Sequence, residues 1–221
     1  MRECSTSSGQ DSVMVRPTAL RWGRLLLGLW LFAVGTFMTL QADLGLSPWD
    51  VLHDGLRTRT PLSFGAAVIL VGLVLVVATT LMGLRPGAGT ISNMLLIGAF
   101  VDLLLALGIA SEAPVWPVWA RVLLTVTGIV VIGLGSALYI GAGMGAGPRD
   151  GIMVLVATRA GVRVGVARAL VEGSALVAGA LLGGKLGVGT VLFAIGIGPA
   201  VDFWFGVFDM DASGRRSARA R

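Results

Sequence analysis

The sequence predicts an all-α polytopic membrane protein, with six spanning helices in two inverted three-helix repeats and a short half-helix in each repeat. Three observations carry this expectation. The 221 residues are 55% hydrophobic and only 13% charged, whereas soluble domains carry roughly 25% charged residues. Apolar runs recur at the length of about 20 residues that a helix needs to cross a hydrocarbon core. The second half of the chain also repeats the first in a constant register. Mean hydropathy is +0.87, which argues against a soluble enzyme, a disordered regulator or a secreted module. The single cysteine (Cys4) and single histidine (His53) exclude a disulfide framework and a cysteine or multi-histidine metal cage. No metal or other cofactor is expected. The pI of about 10.9 would suit nucleic acid, but 16 of the 17 basic residues are arginines set between apolar runs. Their positions read as membrane topology, so the expected partner is the lipid bilayer and not nucleic acid.

Along the chain, residues 1–18 are polar and show no apolar core followed by a small-residue cleavage site, so the first apolar run reads as a retained helix. Spanning helices are expected near 21–41, 62–83, 89–108, 119–141, 163–183 and 189–208. The segments 47–58 and 147–159 are too short to span. Each opens like a helix, with proline at the first helical position and aspartate in the first turn, in Ser47-Pro48-Trp49-Asp50 and Gly147-Pro148-Arg149-Asp150. They read as interfacial or re-entrant half-helices. The resulting organisation is a polar N-terminal segment (1–18), repeat 1 (19–108), repeat 2 (119–208) and a basic tail (209–221).

Six spans put both termini on one side. With that side cytoplasmic, 13 basic residues lie inside and four (Arg57, Arg59, Arg121 and Lys185) outside, as the positive-inside rule favours. Trp22 and Trp204 then fall near the inner boundary, and Trp49, Trp116 and Trp119 near the outer one.

Shifting the chain by 100 residues without a gap aligns Arg21 with Arg121, Gly28 with Gly128, Gly35 with Gly135, and Pro48 and Asp50 with Pro148 and Asp150. It also aligns Gly89-Thr90 with Gly189-Thr190 and Asp102 with Asp202, for 24 identities in 84 positions. Three spans per copy is an odd number, so the second copy must enter the membrane from the opposite face. Inverted repeats with short or broken helices build many secondary transporters.

The runs Ala42–Asp50, Gly89–Asn93, Gly143–Gly151 and Gly187–Pro199 resemble the YczE branch of the YczE/YyaS/YitT bacterial membrane proteins. The resemblance covers about 20–208. It implies a multi-pass protein of the bacterial plasma membrane and a distant likeness to a proposed antibiotic exporter, and it carries no catalytic or binding residues over to this chain.

Candidate functional residues are the polar groups left inside apolar segments. Asp102 and Asp202 each lie about 9 Å from a helix end and read either as coupling acids or as acids that bond a neighbouring helix. Glu172 follows Arg168 by four residues on one helical face. At about 12 Å depth it is expected to cluster with Arg168 and Asp202 as a proton-accepting carboxylate, or else as a self-neutralising pair. Pro199 is expected to kink its helix and free the Ile195 carbonyl, as a solute contact or as geometry alone. The half-helix starts Ser47, Pro48, Trp49, Asp50, Pro148, Arg149 and Asp150 read as an anion-binding pair of positive dipole ends, or as plain capping. The glycines 28, 35, 128 and 135 read as close-packing surfaces.

The functional expectation is a transporter or exporter of a small amphipathic or anionic solute, with proton coupling through Asp102, Asp202 and Glu172. The alternative is a non-transporting membrane accessory that supports a biosynthetic or envelope enzyme. No nucleophile–base pair argues for an enzyme. A homodimer is compatible with so few helices, though no residue specifies one.

Overall fold

The computed structural model describes residues 18–145 and 147–210. The polar segment up to residue 17 and the basic tail from 211 lie outside the described residues. Among the described residues, eight α-helices follow one another: α1 (Thr18–Ala42), α2 (Pro48–Arg59), α3 (Phe64–Leu81), α4 (Ala88–Ala106), α5 (Val118–Ile140), α6 (Pro148–Ala160), α7 (Val164–Leu181) and α8 (Val188–Val207). A 3-10 turn at Ala113–Val115 joins the halves. All but α2 and α6 are long and apolar enough to cross a membrane.

Local chemistry sets the boundaries. The Ser47 hydroxyl caps α2 by accepting from the Asp50 N–H, and Pro48 supplies the preset φ of a first helical residue. Ser63 caps α3 through the Ala66 N–H. Gly161 ends α6 in the left-handed region (φ 63°), which a glycine adopts without a Cβ clash. The register of 100 residues reappears in the starts of all four helix pairs, for example Pro48 with Pro148 and Val188 with Ala88.

The central contact is an antiparallel crossing of α1 and α5 made by glycines. A Cβ added at Gly28 would sit 2.8 Å from the Gly135 carbonyl, and one at Gly35 2.6 Å from the Gly128 carbonyl. Around this crossing, Leu25, Leu29, Phe64, Val68, Ile97 and Val101 bury their side chains with Tyr139. Equivalent residues of the two halves also make equivalent bonds across it. Arg21 donates to the carbonyls of Ala142 (3.1 Å) and Gly143 (2.7 Å), and Arg121 to those of Ala42 (2.8 Å) and Asp43 (2.6 Å). The Gly89 N–H reaches the Met144 carbonyl at 2.8 Å, and the Gly189 N–H the Leu44 carbonyl at 2.7 Å.

The packing sorts the helices into two groups of four. In one, α4 and α8 flank the α1–α5 pair; in the other, α2 packs on α7 and α3, and α6 packs on α3 and α7. The seam between the groups is held mainly by α3 against α4, whereas the corresponding pair, α7 and α8, hardly touches.

Candidate functional site

A cleft of about 140 Å³ opens along this seam, enough for several waters or a small organic group. The two short helices point their N-terminal ends into it. Ser47, Pro48 and Trp49 enter from α2, Gly147, Arg149 and Asp150 from the start of α6, and Arg168 and Glu172 from α7. The opposite wall is Phe32, Asn93, Ile97, Ile132, Ser136, Tyr139 and Phe193. A mostly apolar wall with a few convergent polar groups is the usual build of a small-molecule site. A second cavity, of about 200 Å³, lies among Asp43, Asp54, Arg57 and Lys185. Its charges satisfy one another, with Lys185 2.6 Å from Asp43 and Arg57 2.8 Å from Asp54, and it reads as a loop junction.

In the cleft, the Arg149 guanidinium lies 5.2 Å from the centre of the Trp49 ring. Apart from this cation–π contact it makes no hydrogen bond or ion pair among the described residues. Trp49 is 7% exposed, and its indole Nε1–H is buried with no acceptor. The aromatic-belt reading of Trp49 is therefore corrected. The α2 helix turns its first residues inward, so the ring ends in the protein interior and not at a lipid boundary. A buried N–H without a partner costs about 1–3 kcal/mol.

Beside it, Asp150 accepts from the Tyr139 hydroxyl and the Gly147 N–H, both at 3.2 Å. Burial raises its carboxyl above the usual carboxylate range, against the opposing pull of Tyr139, Arg168, Gly147 and Arg149. Asp50, its counterpart, accepts from the Ser47 hydroxyl at 2.5 Å and lies 3.3 Å from His53 Nδ1. Burial opposes its charge, but the His53 hydrogen bond, the Arg149 and His53 charges and Ser47 together hold its carboxyl below the ordinary value. Both aspartates thus do the capping work of a first turn, and Asp150 also faces the cleft.

His53 is held below its ordinary value of 6.5 by burial and by the Arg149 charge, which outweigh Asp50. Both His53 and Asp50 have lowered values in the fold, so the unfolded chain binds their protons at higher pH than the folded one does. Stability from this pair is therefore present above pH 6.5 and declines as pH falls; Asp150, with a raised value, works in the opposite sense. Relative to the parent, His53→Gln should lose the part of the melting-temperature change in detergent that falls just below pH 6.5. An unchanged slope in that variant would contradict the assignment.

Among the acids read as coupling groups, Glu172 lines the cleft and accepts from Arg168 Nε at 2.9 Å. Asp202 does not join them. It stands exposed on α8, which turns Phe193, Ile197 and Val201 toward the cleft and packs on α5, away from α7. Equal depth along two helices placed the groups at one level but not on facing sides. Pro199 shares the outer face of α8, and the helix runs unbroken through it from Val188 to Val207, so it contributes nothing to the cleft. Asp102 is spent on structure: the Ser63 hydroxyl donates to its carboxylate, and the Gly65 N–H does so at 2.7 Å, pinning the start of α3 to α4. Asp102→Ala leaves both donors without that acceptor and should cost about 1–3 kcal/mol. A melt in detergent should show the loss, while Asp202→Ala should melt like the parent.

A family model described as a family of unknown function, DUF6198, matches residues 19–205. The chain belongs to that family. This DUF6198 chain is 35% identical over 185 residues to an uncharacterized protein of Haemophilus influenzae, covering 83% of this chain and 82% of that one. It is 35% identical over 188 residues to the uncharacterized membrane protein YczE of Bacillus subtilis, covering 82% and 84%. It is also 25% identical over 167 residues to the B. subtilis protein YyaS, covering 75% and 83%. No solved structure matches. With six apolar helices and a relative described as a membrane protein, the DUF6198 chain is a membrane protein in contact with lipid. The motif resemblance to the YczE branch is upheld.

In this DUF6198 protein, Asn93, Ser136 and Tyr139 belong to the cleft without having been singled out from the sequence. Tyr139 is the chain's one tyrosine, and Asn93 lies in α4, an apolar helix that also carries Asp102. Uncharged polar side chains within apolar spans are the signal that marks them in the sequence.

Proposed function

We propose that the protein is a transporter or exporter that passes a small amphipathic or anionic solute through the cleft, using two inverted halves in the bacterial plasma membrane with both termini cytoplasmic. The observation that carries this reading is the pair of idle donors at the meeting point of the half-helices. Among the described residues Arg149 makes no hydrogen bond or ion pair, its charge acting on Asp50 and Asp150 only through space, and the buried Trp49 Nε1–H beside it has no acceptor. A carboxylate or similar head group would pair with Arg149, and its apolar body would lie along Phe32, Ile97, Ile132 and Phe193. The half-helices re-enter the bilayer from opposite faces and meet near its middle, as the reciprocal contacts of the two halves support. Glu172 and Asp150 are the acids that exchange protons with the transported species. No bond-making step is part of this reading.

Proteoliposomes carrying the purified protein test it. With an imposed pH gradient, a panel of labelled small organic anions should include members whose flux is saturable and absent from protein-free vesicles. Glu172→Gln should change the pH dependence of that flux. A complete panel with no protein-dependent flux would overturn the transport reading, and an unchanged pH dependence would remove Glu172 from coupling.

A further inference from the structure

The two halves share one sequence register but not one packing, and the interface that differs most is α3–α4 against α7–α8. In the first half, Gly65 and Gly98 meet backbone to backbone, and Asp102 takes the Ser63 hydroxyl and the Gly65 N–H. The same positions in the second half are Gly165, Gly198, Asp202 and Arg163. A Cβ added at Gly165 or Gly198 would meet nothing within 4 Å, and Asp202 is exposed. The second half thus carries both glycine faces and the acid of a helix–helix joint that is made in the first half and unmade in the second.

The side chains along the unmade joint also fit. Where Gly72 gives room to Met94, with a Cβ there 2.7 Å from the Met94 Cγ, the second half has Glu172 and Ala194. The large and small partners have traded places, so α7 has space to lie on α8 with Glu172 over Ala194. The division of the bundle permits the motion. The α2, α3, α6 and α7 helices hold to one another, and α1, α4, α5 and α8 likewise, with α3 on α4 as the main contact between the groups.

We propose that these two four-helix groups rock against each other, so that α7 docks on α8 through Gly165 and Gly198, with Asp202 accepting the Gly165 N–H, while α3 parts from α4. The cleft between the groups then closes along the α7–α8 seam and opens along the α3–α4 seam. This rests on the cleft being the solute path, and it assigns Asp102 and Asp202 as alternating latches, neither of which touches solute. Breaking the made latch should favour the other state.

Cross-linking tests the motion without any solute. In a Cys4→Ser background, which lacks thiols, Arg163→Cys with Asp202→Cys reports the α7–α8 joint, and Ser63→Cys with Asp102→Cys the α3–α4 joint. Under mild oxidation in proteoliposomes both pairs should give intramolecular products. Adding Gly198→Leu, whose side chain enters space that is empty here, should cut the α7–α8 yield tenfold or more and spare the α3–α4 yield. Asp102→Ala should raise the α7–α8 yield. The proposal is overturned if the α7–α8 pair stays unlinked while the α3–α4 pair reacts, or if its product joins two chains, which would make this face an interface between copies. It is also overturned if Gly198→Leu leaves the yield unchanged. Cross-linking without solute flux would overturn the transport reading alone, and flux without cross-linking would overturn this inference alone.

Discussion

Replacing Gly35 with leucine is expected to abolish the folded protein. A Cβ at this position would lie 2.6 Å from the Gly128 carbonyl oxygen and 2.8 Å from the Ile132 backbone nitrogen. Neither atom can move without shifting α5, and α1 with α5 is the most extensive helix pair in the fold. Overpacking a core ordinarily costs about 1–3 kcal/mol because side chains repack around the intruder. Here the colliding atoms are backbone, so the helices must separate and expose Leu25, Leu29 and Ala33, each fully buried. The cost should exceed that range. Within a bilayer, helix pairing rests on close packing rather than on escape from water, so the lost contact has no substitute. The measurement is the yield of monodisperse protein on size exclusion in mild detergent, with Gly23→Leu as the control. Gly23 lies on the same helix and has nothing within 4 Å of its added Cβ. A Gly35→Leu protein that elutes at parental yield would show that the crossing does not hold the halves together.

Arg149→Gln should lower solute flux by about tenfold to a hundredfold while the protein folds normally. A hydrogen bond to a charged partner contributes about 1.5–3 kcal/mol, and each 1.4 kcal/mol is a factor of about ten. The guanidinium is half-buried and hydrogen-bonded to no carboxylate, and its charge supports the buried Asp50 only through space, so the fold should survive its removal with a small loss of stability. Arg149→Lys should fall between, since an ammonium keeps the charge but loses the flat stacking on Trp49 and the forked donors. Arg159, at the far end of α6, bonds the Met82 carbonyl at 3.1 Å and lies outside the cleft, so Arg159→Gln should leave flux unchanged. Parental flux in Arg149→Gln would remove this residue from solute recognition.

Much of the architecture is legible along the chain. Apolar runs of bilayer length locate six helices, and all six appear with ends displaced by a few residues at most. The half-helices are announced by Ser47-Pro48 and Gly147-Pro148, because proline at a first turn and a capping residue before it are local chemistry that tertiary packing does not override. The site is only half legible. Of the half-helix starts, Ser47, Pro48, Trp49, Arg149 and Asp150 line the cleft, and so do Arg168 and Glu172, an i,i+4 pair on one helix. Asp202 and Pro199 do not, because their placement depended on which face of α8 turns inward, and a helix that is apolar all round gives no stripe from which to read that face.

The sequence by itself determined the membrane setting, the eight helices, the register of 100 residues and the chemical inventory of the half-helix starts, all of which depend on composition and local spacing. Only the tertiary structure decided which of two equivalent contacts is made. Gly65 and Gly98 close on each other while Gly165 and Gly198 face empty space, though each pair is glycine on glycine at the same spacing. Identical residues can sit on either side of that choice because docking two helices is a balance between whole packed groups, and no single position encodes it.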